Sequence, residues 1–99
     1  MLVKLNKTEI MVLEVLTENI MEDEFYCFHF KSIQYRIKQD TRQKLNRTKI
    51  KRACRGLAKK GLAAFRASGS FYDDGRTYGA GYKATPEGSR QLYLIKALA

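Results

Sequence analysis

The chain has 99 residues, enough for one domain around one core and too few for the scaffold and walled pocket that most enzymes need. Hydrophobic residues at 44% and aromatics at 11% exclude a disordered tail, while 29% charged residues suit a folded domain in water. Nineteen Lys and Arg against ten Asp and Glu give +9, an excess that points to a polyanionic partner, either nucleic acid or an anionic membrane surface.

Asn6 and Glu9 have capping-box spacing, and the run Ile10, Met11, Val12, Leu13, Val15, Leu16, Ile20 predicts a first helix over residues 7 to 20. Ile10, Leu13, Leu16 and Ile20 form one stripe, and Met11, Val12 and Val15 fall outside it, so this helix is expected to touch two partners. Phe25 to Phe30 is short and rich in β-formers and predicts a brief strand. Phe30, Ile33 and Ile37 then set a short basic helix over residues 31 to 40. Asn46 is placed to cap a third helix over residues 47 to 60, with Leu45 facing Ile50 as a hydrophobic staple and Gly61 as the stop. Ile50, Ala53, Cys54, Leu57 and Ala58 form its core stripe, and Thr48, Lys51, Arg52, Arg55 and Lys59 project from the other side.

Between Leu62 and Ala84 helical spacing is lost, and Asp74-Gly75 marks a two-residue hairpin turn. Extending that turn pairs Asp73 with Arg76, Tyr72 with Thr77, Phe71 with Tyr78 and Ala67 with Tyr82. Thr85-Pro86-Glu87 opens a last helix with Leu92, Ile95 and Leu98 as its stripe.

The charge is polarised along these elements. Residues 1 to 30 carry two basic and six acidic side chains, net −4, whereas residues 31 to 99 carry seventeen and four, net +13. Residues 31 to 66 hold thirteen basic side chains and one acid, Asp40. Such one-sidedness is a binding footprint more than an ordinary solvated surface, where the signs are interspersed. No apolar run approaches the roughly 18 to 20 residues of a membrane span, and the N-terminus lacks a signal-peptide pattern. The expected setting is therefore intracellular: cytoplasmic, and nucleoid-associated if the polyanion is DNA, with Cys27 and Cys54 as reduced thiols. Cys27, His29 and Cys54 lack a fourth metal ligand, and nothing supplies an oxyanion hole or an orienting acid. No catalytic residue, metal or cofactor is expected, and no small-molecule effector is assigned.

The order helix, strand, helix, turn, basic helix, hairpin, helix is that of a winged helix-turn-helix domain. The stretch from Ile50 to Leu62 resembles the recognition helix and L-x-x-x-G-L ending of MarR- and PadR-type transcriptional regulators, and Tyr82, Thr85 and Gly88 resemble their Y-x-x-T-x-x-G pattern. The resemblance implies a single α+β domain over residues 1 to 99, with a three-helix core, a short strand, a long β-hairpin wing and a C-terminal helix. It departs from those families in length, which leaves little room for extra dimerisation helices, and in Asp73 and Asp74 at the wing tip.

Such a domain implies double-stranded DNA as partner, with the third helix in the major groove, where Arg and Lys donate to guanine edges. Arg47, Thr48, Lys51 and Arg52 are expected nearest the bases, and Lys49, Arg55 and Lys59 on the backbone. Lys31, Arg36, Arg42 and Lys44 would flank as phosphate contacts, and Arg76 is the wing's candidate for the minor groove. Surplus apolar residues on the first and last helices, Leu94 and Leu98 among them, suggest a homodimer. Two other partners fit a basic winged helix: RNA in a ribosomal or processing setting, and an acidic protein within a larger assembly.

Overall fold

The computed structural model describes residues 3–18, 28–66, 70–71, 77–78 and 81–98, the short pairs 70–71 and 77–78 by their backbone alone. The first helix, α1, runs Lys7–Thr17. Its capping box is complete: the Glu9 amide donates to Asn6 Oδ1 at 2.8 Å, and the Asn6 amide donates to Glu9 Oε1 at 3.1 Å. The helix stops before residue 20, because Glu18 takes up the cap position with its N–H on the Val15 carbonyl.

The chain enters its next helix through an isolated antiparallel bridge in which Phe28 and Tyr82 exchange both backbone hydrogen bonds, at 2.7 and 3.0 Å. Of the strand expected over 25 to 30, residues 25 to 27 lie outside the described residues, Phe28 keeps this one bridge, and Phe30 is already helical. The reason is a histidine cap: His29 Nδ1 accepts the Lys31 N–H at 3.2 Å, so α2 starts early and runs Phe30–Thr41. It ends at Arg42, whose φ of 58° is left-handed, and whose N–H donates to the Lys38 carbonyl.

The third helix, α3, spans Arg47–Lys59, capped by Asn46 Oδ1 on the Lys49 N–H at 2.9 Å. Leu45 and Ile50 are both buried, as the staple requires, and Gln34 Nε2 donates to the Leu45 carbonyl, pinning the turn onto α2. Gly61, at φ 76°, lets the chain turn in a left-handed conformation, and the exit is a complete Schellman motif. The Leu62 N–H donates to the Leu57 carbonyl at 2.9 Å, and the Gly61 N–H donates to that of Ala58 at 3.1 Å.

Two antiparallel pairs follow. Strands β1 (Ala63–Arg66) and β4 (Gly81–Ala84) pair with Ala63 opposite Ala84 and Phe65 opposite Tyr82. Strands β2 (Ser70–Phe71) and β3 (Thr77–Tyr78) pair Ser70 with Tyr78 and Phe71 with Thr77. The hairpin is present in another register: Phe65, not Ala67, faces Tyr82, and Phe71 faces Thr77, not Tyr78. Burial sets the register at the base. Tyr82 is buried, its ring makes an edge contact with Phe65 at 5.3 Å, and the shift of two residues keeps it on the same face. The predicted turn at Asp74-Gly75 lies outside the described residues.

The last helix, α4, runs Pro86–Leu98. Thr85 Oγ1 accepts the Gly88 N–H at 3.0 Å and donates to the Gly61 carbonyl at 2.7 Å, while the Thr85 N–H donates to the Leu62 carbonyl. Gly88 sits so close to the Leu62 carbonyl that a Cβ there would collide with backbone. Leu92 is buried, but the rest of the predicted stripe turns outward: Ile95 is half-buried and Leu98 is 70% exposed. The apolar surplus of α1, in contrast, is absorbed, with Val12 and Val15 buried and Ile10 and Met11 packed against the core.

A carboxylate ties α1 to α3. Glu9, only 5% exposed, receives Lys60 Nζ on both oxygens at 3.0 and 2.9 Å and lies directly over Gly56, where a Cβ would collide with it. Gly56→Ala alone is therefore expected to destabilise the fold despite a helix-propensity gain of about 1 kcal/mol. In a Glu9→Ala background the same change should stabilise, a reversal of sign that thermal denaturation of the four proteins will show. Gly88→Ala should cost about 1–3 kcal/mol, each kcal/mol lowering Tm by about 4–8 °C. The adjacent exposed change Ser89→Ala should stay within about 0.5 kcal/mol.

Candidate nucleic-acid interface

One face of α3 is core and the rest is cationic. Ile50, Ala53, Cys54 and Leu57 are buried, and Arg47, Thr48, Lys49, Lys51, Arg52, Arg55 and Lys59 are all exposed, with no carboxylate anywhere on the helix. At about 100° per residue, Thr48, Arg52, Arg55 and Lys59 follow i, i+4, i+7, i+11 and form a stripe directly opposite the buried residues.

The remaining cations stand on its two sides. Lys51 Nζ lies over the Phe30 ring, 5.4 Å from its centre, which places it, with Arg47, toward the first turn of α2. Lys49 lies on the α1 side and lines, with Arg52, Asn6, Thr8 and Glu9, a hollow of about 230 Å³. Lys60, just beyond the helix, is held by Glu9 and belongs to the scaffold.

From α2, Lys31 is exposed and shares a groove of about 240 Å³ with Gln34, Tyr35, Lys38 and Lys44. The 62%-exposed Tyr35 and Lys38 are not among the contacts expected from the sequence, although their spacing from Lys31, i+4 and i+7 respectively, places them on its face. Arg36 is turned elsewhere: it is ion-paired with Glu18 at the end of α1. Arg42, exposed, is the left-handed cap of α2. Arg76 lies outside the described residues.

Electrostatics sharpen one corner of this surface. His29 has its pKa pushed below the usual histidine value, first by desolvation and then by Lys31, Arg47 and Lys51. Cations of both α2 and α3 therefore act on this one imidazole. Sequence reasoning missed His29, since histidine is not among the favoured capping residues. Cys54 is an inert core thiol, pushed up to about 12 by burial. Cys27 lies outside the described residues, and among those described no group of His, Cys, Asp and Glu could hold a metal ion. No helix among them is long and apolar enough to cross a membrane.

No protein-family model matches the chain, and no curated protein sequence matches it significantly. Solved structures do share its fold. A candidate DNA-binding protein from Ralstonia eutropha JMP134 aligns over 93% of this chain and 98% of its own, with TM-score 0.63 and 22% identity. A candidate transcriptional regulator from Thermoplasma acidophilum aligns over 92% of this chain and 82% of its own, with TM-score 0.65 and 21% identity. The chain therefore has the α+β, winged-helix-like architecture seen in these proteins.

Proposed function

We propose that the protein binds double-stranded DNA as a small homodimeric transcriptional regulator of the MarR/PadR type, acting by recognition and not by catalysis. The observation that carries this reading is the outward stripe Thr48, Arg52, Arg55 and Lys59 on a helix without acids. A major groove about 12 Å wide admits such a helix, and its cations meet guanine edges and phosphates together. The names borne by proteins of the same fold, DNA-binding protein and transcriptional regulator, support it.

Within this reading Thr48 and Arg52 face the base edges from the first half of α3, and Arg55 and Lys59 follow the same stripe toward the backbone. Arg47 and Lys51, expected at the bases from the sequence, lie toward the start of α2 and in this reading would meet the DNA backbone. Lys31, Lys38 and Lys44 extend the phosphate-facing surface, and Lys49 contributes from the α1 side. Support for the homodimer rests on α4, where Tyr93 is 73% and Leu98 70% exposed, and not on α1, whose apolar residues the core absorbs.

Selection of bound duplexes from a random pool tests the function: enrichment of a pseudo-palindrome with half-sites about 34 Å apart is expected, as for a two-fold dimer. An unenriched pool, or displacement of the selected duplex by structured RNA, would contradict it. Arg52→Ala should reduce discrimination between selected and random duplexes by about 1–3 kcal/mol. Lys59→Ala should weaken all duplexes alike and lower the salt slope by about 1. Sedimentation should show a dimer, and a monomer both on and off DNA would refute that part.

A further inference from the structure

The core-facing side of the β1–β4 ladder runs on past the core. Side chains alternate along a strand, so Ala63 and Phe65 of β1 share one face with their partners Ala84 and Tyr82 of β4. Ala63 and Tyr82 are buried, yet Phe65, on the same face, is 56% exposed. Its ring meets that of Tyr82 edge-on at 5.3 Å, and the Tyr82 ring lies 5.9 Å from that of Phe30. Lys51 Nζ of α3 stands over the Phe30 ring, 5.4 Å from its centre, and β1 itself packs against α3. Three rings thus form a row from the first turn of α2 across β4 to β1. The row borders the side of α3 from which Lys51 projects and, one turn on at i+4, Arg55.

Single exposed apolar side chains are ordinary on a protein surface. Phe65 differs in its setting, because it ends a continuous row of rings whose other end lies beneath a lysine of the cationic helix. Tyr82, buried and bridged through its backbone to Phe28, supports the Phe65 ring from behind, so little ordering is left to be lost on binding.

A phenyl ring gains nothing from a phosphate, and what it buries against must be hydrocarbon. In the major groove of duplex DNA the hydrocarbon that differs between bases is the C5 methyl of thymine, a group that phenylalanine contacts. We propose that Phe65 reads thymine: its exposed ring packs on the C5 methyl of a thymine at the edge of the DNA segment covered by α3, and sets sequence preference from outside that helix. This rests on the DNA-binding reading above and adds to it a base and the residue that reads it. Lys51 and Arg55, beside the ring row, supply the salt-dependent attraction to the backbone, and Phe65 supplies an uncharged contact that one methyl group decides.

The experiment replaces each thymine of the selected duplex, one at a time, by deoxyuridine, which removes only the C5 methyl. Fluorescence anisotropy gives Kd for the native chain and for Phe65→Ala. The native chain is expected to lose about threefold to fivefold at one thymine of each half-site, the effect of leaving one methyl group unburied. Phe65→Ala should lose its response to that one substitution and respond as the native chain does at every other thymine. It should bind the unsubstituted duplex more weakly than the native chain while keeping the native salt slope, since no phosphate contact is removed. In the native complex, nuclear Overhauser contacts are expected between the Phe65 ring protons and that thymine methyl. This last measurement needs no variant, so the proposal stays testable even if Phe65→Ala folds poorly. Equal deoxyuridine profiles for the two proteins would overturn it, including the case in which Phe65→Ala weakens every duplex alike, as a ring resting on deoxyribose requires. Absence of any contact between a thymine methyl and the Phe65 ring would overturn it as well. A random pool from which no duplex is enriched would instead overturn the DNA-binding reading itself.

Discussion

The backbone of Leu62 is the joint on which the arrangement turns. Its N–H closes the Schellman exit of α3 on the Leu57 carbonyl, and its own carbonyl accepts the Thr85 N–H and packs against Gly88. One buried residue thereby fixes the end of α3, the start of the β1–β4 ladder and the angle at which α4 leaves. The Thr85 hydroxyl reinforces it by donating to Gly61 while capping α4. The spaced Tyr82, Thr85 and Gly88 thus have separate physical tasks: bridging Phe28, tying the α3 exit, and allowing close backbone approach.

A helix that carries only cations on its outer face gains nothing from that face in the free protein, where neighbouring like charges repel. Its position must come from the inner side, and two devices supply it. Ile50, Ala53, Cys54 and Leu57 are buried, and Glu9 anchors the far end through Lys60 and the space above Gly56. The acids of α1 are consumed in such ties: Glu9 on Lys60, Glu14 at 3.8 Å from Lys96, and Glu18 on Arg36. The outward cations of α3 are left available to a polyanion, which is how a net charge becomes a directed surface.

What the sequence made legible was local. The capping pairs of Asn6 and Asn46, the stop at Gly61 and the start at Thr85-Pro86 depend on residues within one turn of each other, and the helices they bound are present. Features that depend on distant partners were harder to read. Tyr82 fixes the hairpin register through Phe65 and Phe28, so a turn dipeptide could not set it. Glu9 read as half of a capping box and proved also to be the counter-ion of a lysine 51 positions away. Arg36 had the right charge and helix for phosphate, but Glu18 holds it. The cation stripe of α3 was legible because helical periodicity alone separates it from the core, whereas the corner at His29 needed α2 and α3 brought together in space.

The central claim is that the outward stripe of α3, flanked by the first turn of α2, is the surface that meets duplex DNA. Amide chemical-shift mapping of the protein titrated with a selected duplex tests it most directly. The account predicts that the largest perturbations fall on Thr48, Arg52, Arg55 and Lys59 and around His29 and Lys31, with Pro86–Leu98 little changed. Perturbations concentrated on α4, with α3 unmoved at saturation, would contradict it.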